Sequence, residues 1–136
     1  VLDTRQEKDL VALYGAPFAA SAFYTTAQFI ARNPATTQAF ANAVSSALDW
    51  MAKAKTEEIV AAVPPEYYGD DRPLYQSMVE SNRGRFSTDG RISAEAANLT
   101  YRNLAAFEET LKGKTIDVAA TYDNTFIERA AQLRSR

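Results

Sequence analysis

The strongest constraint on the fold of this chain is one long stretch of helical periodicity that follows an Asn33-Pro34 break. Residues 34–54 read PATTQAFANAVSSALDWMAKA, and their apolar side chains recur at the three- and four-residue steps typical of one helix face. The predicted inward face consists of Phe40, Val44, Ala47, Leu48 and Met51 with Trp50 beside it, and the predicted polar outer face consists of Thr37, Ser45, Asp49 and Lys53. We interpret the apolar stripe as a surface that packs against a core.

Local signals place the remaining elements around this helix. Thr25 and Gln28 have the spacing of a capping box, Asn33 is expected to cap the long helix, and Ser93 and Gly113 are expected to begin and end another helix. Predicted helices cover residues 26–32, 34–54, 56–62, 73–83, 94–111 and 124–133, and predicted strands or extended pieces cover residues 1–3, 20–24 and 115–118. Residues 4–13 fit either a surface loop or a short helix. We therefore expect a mainly helical body whose short strands have no partner inside the chain.

Composition argues against several classes of function. The chain has 136 residues, of which 46% are hydrophobic and 24% are charged, as in ordinary globular proteins. It has no His and no Cys, so it can form neither a Ser-His-Asp triad nor a thiol nucleophile. The Asp89-Gly90 turn lacks the ligand spacing of a calcium loop, and a net charge of −2 without a basic cluster argues against nucleic-acid binding. We expect no catalytic residue, no metal, no cofactor and no enzymatic activity.

The predicted strands have no neighbouring strand within the chain, so we expect them to pair with other polypeptide. An isolated strand leaves main-chain amides and carbonyls without hydrogen bonds. We expect these strands to pair either with a second copy, in a homodimer through the sheet edge, or with a missing N-terminal portion of the same protein. The chain opens on the apolar pair Val1-Leu2, before any turn residue, which favours the missing portion. No window approaches the ~20 apolar residues of a membrane-spanning helix, and the first ten residues lack the pattern of a signal peptide.

A series of short motifs follows the order of a known transport family. The motifs are Val1-Leu2-Asp3-Thr4-Arg5, Tyr14-Gly15-Ala16-Pro17, Ala22-Phe23-Tyr24-Thr25-Thr26, Phe29-Ile30-Ala31-Arg32-Asn33-Pro34, Phe40, Asn42-Ala43, Ala47, Trp50, Glu57-Glu58-Ile59, Phe86-Ser87-Thr88-Asp89-Gly90, Ile116-Asp117 and Tyr122-Asp123-Asn124-Thr125-Phe126. Their order and spacing resemble the C-terminal part of ABC-importer substrate-binding proteins, in the family that includes the nitrate, taurine, alkanesulfonate and thiamine-precursor binding proteins.

The resemblance implies an α/β, helix-rich fold, the C-terminal portion of a type II periplasmic-binding-protein fold with about two or three short strands and about five or six helices. Residues 1–136 would form a single domain or a domain fragment, with a hinge and strand region over 1–25 and a mainly helical part over 26–136.

The function implied by the resemblance is transport. The protein would capture a small ligand of the nitrate, sulfonate or thiamine-precursor class between two lobes and deliver it to a membrane ABC permease, in a periplasmic or other extracytoplasmic compartment. The residues expected at the ligand or the hinge are Asp3, Thr4, Arg5, Tyr14, Gly15 and Pro17. Arg5 either pairs with an anionic ligand group or lies in a surface loop, and Tyr14 either stacks on a ligand or fills the core.

A second function is compatible with the same sequence. The chain is alternatively a stand-alone helical dimerisation or effector-binding interaction domain, in which the helix over 34–54 packs against a second copy. This alternative needs no sheet and no cleft.

Overall fold

The computed structural model describes residues 3, 6–15 and 21–134, and helices dominate them. The α-helices are α1 (Glu7–Tyr14), α2 (Ala27–Arg32), α3 (Pro34–Lys53), α4 (Thr56–Ala62), α5 (Arg72–Asn82), α6 (Ala94–Phe107) and α7 (Thr125–Arg134). Short 3-10 helices cover Pro65–Tyr67, Arg83–Arg85, Glu109–Leu111 and Val118–Thr121.

The predicted α/β fold is wrong for this part of the chain. Residues 21–26 have no regular secondary structure, and the extended piece predicted over 115–118 gives way to a 3-10 helix from Val118. Residues 1, 2 and 20 of the other predicted strands lie outside the described residues. A strand requires a neighbour that exchanges main-chain hydrogen bonds with it, and among the described residues no segment supplies one. The type II periplasmic-binding fold, which requires a sheet, is therefore overturned along with the strands.

Helix boundaries follow local capping chemistry, with two differences from the prediction. Thr26, not Thr25, caps α2, since its Oγ1 accepts a hydrogen bond from the Phe29 amide at 3.1 Å. The Asn33 side chain does not cap α3; its Nδ2 donates back to the Phe29 carbonyl at 3.1 Å and closes α2. The Asn-Pro pair still separates the helices, because Pro34 at the first turn of α3 has no amide that would need a partner.

The caps of the later helices agree more closely with the sequence. The predicted cap Ser93 accepts a hydrogen bond from the Ala96 amide at 3.1 Å and begins α6. Asp71 does the same for α5 through the Leu74 amide at 2.9 Å. The helix predicted over 94–111 ends earlier, at Phe107, and a 3-10 turn follows. Gly113, with φ of 69°, lies beyond that turn.

The best-packed part of the described chain lies between α3 and α7. Ser45 on α3 is 2% exposed, and Ile127 and Ala130 on α7 are buried. The pair is held at both ends by hydrogen bonds to main-chain carbonyls: Gln38 Nε2 donates to the Phe126 carbonyl at 2.9 Å, and Arg134 Nη1 donates to the Ser45 carbonyl at 2.7 Å. The helix over 34–54 therefore does pack against a core, but with a different face from the one predicted.

Two smaller cores complete the described structure. Ile59 and Val60 on α4 are buried where α4 meets α5, and Ala96 and Leu99 on α6 are buried where α6 meets the 3-10 helix Val118–Thr121. The loop before α6 is joined to the start of α7 by Asn124, whose side chain accepts a hydrogen bond from the Ile92 amide at 3.0 Å and donates one to the Ile92 carbonyl at 2.9 Å.

Candidate functional site

The residues predicted to bind ligand or form a hinge are only partly described. Asp3, Tyr14 and Gly15 lie in or beside α1, whereas Thr4, Arg5 and Pro17 lie outside the described residues. The Asp3 amide donates to Asp9 Oδ2 at 2.9 Å. Gly15 ends α1 in a left-handed conformation, with φ of 82° and its amide bonded to the Val11 carbonyl at 2.7 Å.

These contacts give Asp3 and Gly15 local structural roles. The main-chain carbonyl of Asp3 also accepts a hydrogen bond from Gln6 at the start of the same turn. Tyr14 is half-buried. A ligand-binding or hinge role for the predicted residues stays a prediction that no observation tests.

A different surface stands out on α3. Phe40, Ala43, Ala47 and Trp50 recur at three- and four-residue steps, and all of them are exposed, Phe40 by 50% and Trp50 by 44%. At about 100° per residue they lie on the side of the helix opposite Ser45. We call these four residues the outer α3 face.

The outer α3 face reverses the predicted orientation of the helix. Phe40, Ala47 and Trp50 were expected to point to the core, and Ser45 was expected to point to solvent. Val44, Leu48 and Met51 are half-buried, because they lie between the two sides. The long helix thus leaves its more apolar side exposed, whereas the side that packs on α7 is centred on the polar Ser45; an amphipathic helix is expected to cover its apolar side.

Aromatic residues from the segment before α2 extend this face. The Phe23 ring packs edge-on against Phe40, with ring centroids 5.1 Å apart and an interplanar angle of 83°, a favoured arrangement for aromatic pairs. Tyr24 is 97% exposed, and Phe29 on α2 is also exposed. The ring contact thus joins Phe23 to the outer α3 face, and Tyr24 and Phe29 add exposed aromatic area on the neighbouring segments.

Charged and concave features of the described residues are less distinctive. An open depression of about 540 Å³ between α4 and α5 is lined by Glu57, Arg72, Gln76 and Glu80 among others, so its wall carries both signs of charge. Arg91 and Glu128 form an exposed ion pair at 2.8 Å. Within the described part of the chain, no group of His, Cys, Asp and Glu is placed to hold a metal ion. No helix there is both long enough and apolar enough to cross a membrane.

The total exposed surface is large for the mass of the chain. The accessible surface is 10074 Å², whereas a compact protein of 15.0 kDa exposes roughly 7,000 Å². The excess, about 3,000 Å² by that relation, includes many large apolar side chains. Those outside the outer α3 face and its aromatic extension are Val11, Leu13, Tyr67, Leu74, Met78, Phe86, Leu104, Phe107 and Leu133.

Comparison with known proteins gives one structural likeness. No family model and no curated protein matches the chain. A solved structure of a protein from Bordetella bronchiseptica RB50 is similar over 100% of this chain, with 31% sequence identity and a TM-score of 0.90. The chain spans 43% of the length of that protein. The likeness concerns the fold, and it brings no substrate or partner to this chain.

The expected membership of the ABC-importer binding-protein family is therefore corrected. The described residues form helices without a sheet, and nothing in the likeness to the Bordetella bronchiseptica protein points to an importer. The motif order that suggested the family is compatible with the helices observed. It did not determine the fold class, because none of those motifs specifies how strands pair.

Proposed function

We propose that this chain is a helical interaction module that docks on another polypeptide segment through the outer α3 face. The observation that carries the proposal is the exposure of Phe40, Ala43, Ala47 and Trp50 along one side of the longest described helix. This is the second of the two functions considered from the sequence, in the general form of an interaction domain. Capture of a small ligand rested on the importer resemblance and is not carried forward. A periplasmic location stays a prediction that nothing tests.

The chemistry of the outer α3 face suits contact with protein. The small side chains of Ala43 and Ala47 form a shallow depression in the middle of the face, so that a partner backbone or side chain can approach the helix closely. Phe40 and Trp50 stand at the two ends, and large aromatic side chains supply much of the energy of protein interfaces. Full burial of such a ring removes about 150–250 Å² from water, and roughly half of that area is still exposed on Phe40 and Trp50. A patch of this kind on a protein surface marks an interaction site.

The surroundings of the face support the same function. Phe23 is already fixed on Phe40 by a ring contact, so part of the surface is preorganised before a partner arrives. Preorganisation lowers the entropic cost of docking. The nearest described charges on α3 are Asp49 and Lys53, which neutralise each other in an ion pair at 2.9 Å, so no unpaired charge on that helix needs to be desolvated.

The test measures whether the face is covered in the natural protein. Because this sequence contains no Cys, a single Ala47→Cys substitution provides a clean chemical probe of the outer α3 face. The variant is expressed in its natural reading frame for a native extract, and separately as the isolated chain. In each preparation, the rate of maleimide modification is measured on the peptide that carries residue 47. A docked face reacts more slowly in the extract by about tenfold or more, which corresponds to about 1.4 kcal/mol or more of docking free energy.

The matched control is Ala52→Cys, which is exposed on the same helix but lies on the side of Ser45, opposite the face. Its modification rate is expected to stay the same in both preparations. Equal rates for Ala47→Cys in the extract and in the isolated chain would show that the face is open to solvent, and they would refute the proposal.

A further inference from the structure

We infer that the polypeptide that covers the outer α3 face is the remainder of a longer protein to which this sequence belongs, and not a second copy; this inference rests on the proposed docking function. The alternative occupants are a second copy of the chain and a separate protein. Surface area sets how much must be covered, and the distribution of apolar side chains, the main-chain groups of residues 21–25 and the structural likeness favour the same polypeptide.

Surface area is the first argument. The chain exposes about 3,000 Å² more than a compact protein of its mass. A standard protein interface buries about 800 Å² on each partner. A second copy that covered the outer α3 face with an interface of that size would leave most of the excess exposed. The excess therefore calls for a cover as extensive as an obligate interface, which resembles a domain core cut in half; the distribution of the apolar side chains then decides between the occupants.

The distribution of apolar side chains is the second argument. Phe107 at the end of α6 is 85% exposed, and Tyr67 in the 3-10 helix Pro65–Tyr67 is 71% exposed. Phe86 and Leu104 are also exposed. These residues belong to other elements than α2 and α3, so one two-fold interface on α3 leaves them unexplained. Further polypeptide of the same protein is able to contact several elements.

Main-chain groups of residues 21–25 are the third argument. Within the described part of the chain, no hydrogen bond joins a main-chain amide or carbonyl of this segment to another residue, although the Phe23 ring contacts Phe40. A polypeptide that covers the aromatic surface also lies close to the main-chain amides and carbonyls of residues 21–25. Buried amides and carbonyls require partners, so the covering polypeptide must supply donors and acceptors as well as apolar side chains. An extended segment of the same protein meets both needs.

The structural likeness is the fourth argument. The Bordetella bronchiseptica protein contains this fold as 43% of its own chain, and the match covers 100% of ours with a TM-score of 0.90. In that protein the same arrangement of helices is therefore continuous with other polypeptide. The inference places similar additional polypeptide beside the outer α3 face in this protein.

The experiment compares accessibility at different protein concentrations. Protein is purified from the natural reading frame with Ala43→Cys at the centre of the outer α3 face, and in parallel with Ala52→Cys on the opposite side of the helix. Maleimide modification of the peptide that carries the new Cys is followed by mass spectrometry before and after about hundredfold dilution, because cover by a separate molecule depends on concentration by mass action. We expect Ala43→Cys to react slowly at both concentrations, while Ala52→Cys reacts fast. In the isolated 136-residue chain, both are expected to react fast.

The other outcomes overturn the inference in distinguishable ways. If protection of Ala43→Cys disappears on dilution of the natural protein, the occupant is a second copy or a separate protein; the inference fails, and the proposed docking function stands. If protection of Ala43→Cys in the isolated chain increases with the concentration of that chain, a second copy is the occupant; the inference again fails, and the proposed docking function stands. A natural reading frame that encodes no further polypeptide also overturns the inference. Fast reaction of Ala43→Cys and Ala47→Cys in the natural protein at every concentration refutes both proposals.

Discussion

Gly90→Ala is expected to destabilise the fold by two separable effects. Gly90 has φ of 74°, a left-handed conformation that costs a residue with a Cβ about 1–2 kcal/mol. A Cβ at this position would lie 2.9 Å from Ile127 Cγ1, 3.0 Å from Ile127 Cδ1 and 3.3 Å from Leu48 Cδ1. Ile127 lies on α7 and is buried where that helix meets α3, so its side chain cannot move into solvent without losing that contact. Overpacking of this kind costs a further amount of about 1–3 kcal/mol, which gives a total of about 2–5 kcal/mol.

Gly113→Ala is the matched control for this substitution. Gly113 has a similar φ of 69°, and an added Cβ there meets no atom within 4 Å, so it reports the backbone effect alone. Urea unfolding, monitored by circular dichroism, gives the free energy of unfolding of each variant. The difference between the two destabilisations measures the cost of crowding near Ile127. In an Ile127→Ala background the cost of Gly90→Ala is expected to fall towards that of Gly113→Ala, because only the contact with Leu48 Cδ1 at 3.3 Å remains; a double-mutant cycle measures this change. Equal destabilisation by the two glycine substitutions in the wild-type background would refute the packing of α7 against Gly90.

Two further predictions concern the polar residues of α3. Among the described residues, no hydrogen-bond partner is found for the buried Ser45 Oγ. Ser45→Ala therefore removes a desolvated hydroxyl and is expected to leave the free energy of unfolding unchanged or raise it by about 1 kcal/mol; a loss of more than that in urea unfolding contradicts the geometry. The hydrogen bond from Lys53 holds the pKa of the Asp49 carboxyl below its usual value of 3.8, so the pair stabilises the folded state above that pH and stops doing so as pH falls through the lowered pKa. Lys53→Met is therefore expected to lower the urea midpoint at neutral pH and to have no effect in strong acid, and an effect that is independent of pH would show that the pair does not form.

The helices of this protein are largely predictable from sequence because their signals are local. Pro34 at a first helical turn and Ser93 as a cap act on amides within a few residues, and the structure confirms α3 and the start of α6 at these positions. The displaced cap of α2, Thr26 instead of Thr25, is an error of one residue. Local chemistry therefore predicts which segments become helical, with small errors at their ends.

The candidate site was not predictable in the same way, because it depends on contacts between distant segments. The predicted strand over 20–24 needed a partner strand, and the described residues contain none. The predicted ligand residues came from a family resemblance, and those that are described, Asp3, Tyr14 and Gly15, lie around α1. The aromatic residues that form the proposed docking surface were noticed in the sequence, but Phe40, Ala47 and Trp50 were assigned to the core.

The reason for this error also explains the orientation of α3. Periodicity identifies which side chains share a face, but it identifies the inward face only when the opposite side is polar. On α3 the side around Ser45 is lined by small or polar residues such as Ala41 and Gln38, and α7 packs there through hydrogen bonds to main-chain carbonyls as well as through Ile127. The more hydrophobic side, with Phe40 and Trp50, is the one left exposed. Burying the side with Phe40 and Trp50 would therefore gain more hydrophobic free energy than burying the side that already packs on α7. A helix that leaves its more apolar side exposed is most stable when a contact outside the described residues covers that side as well.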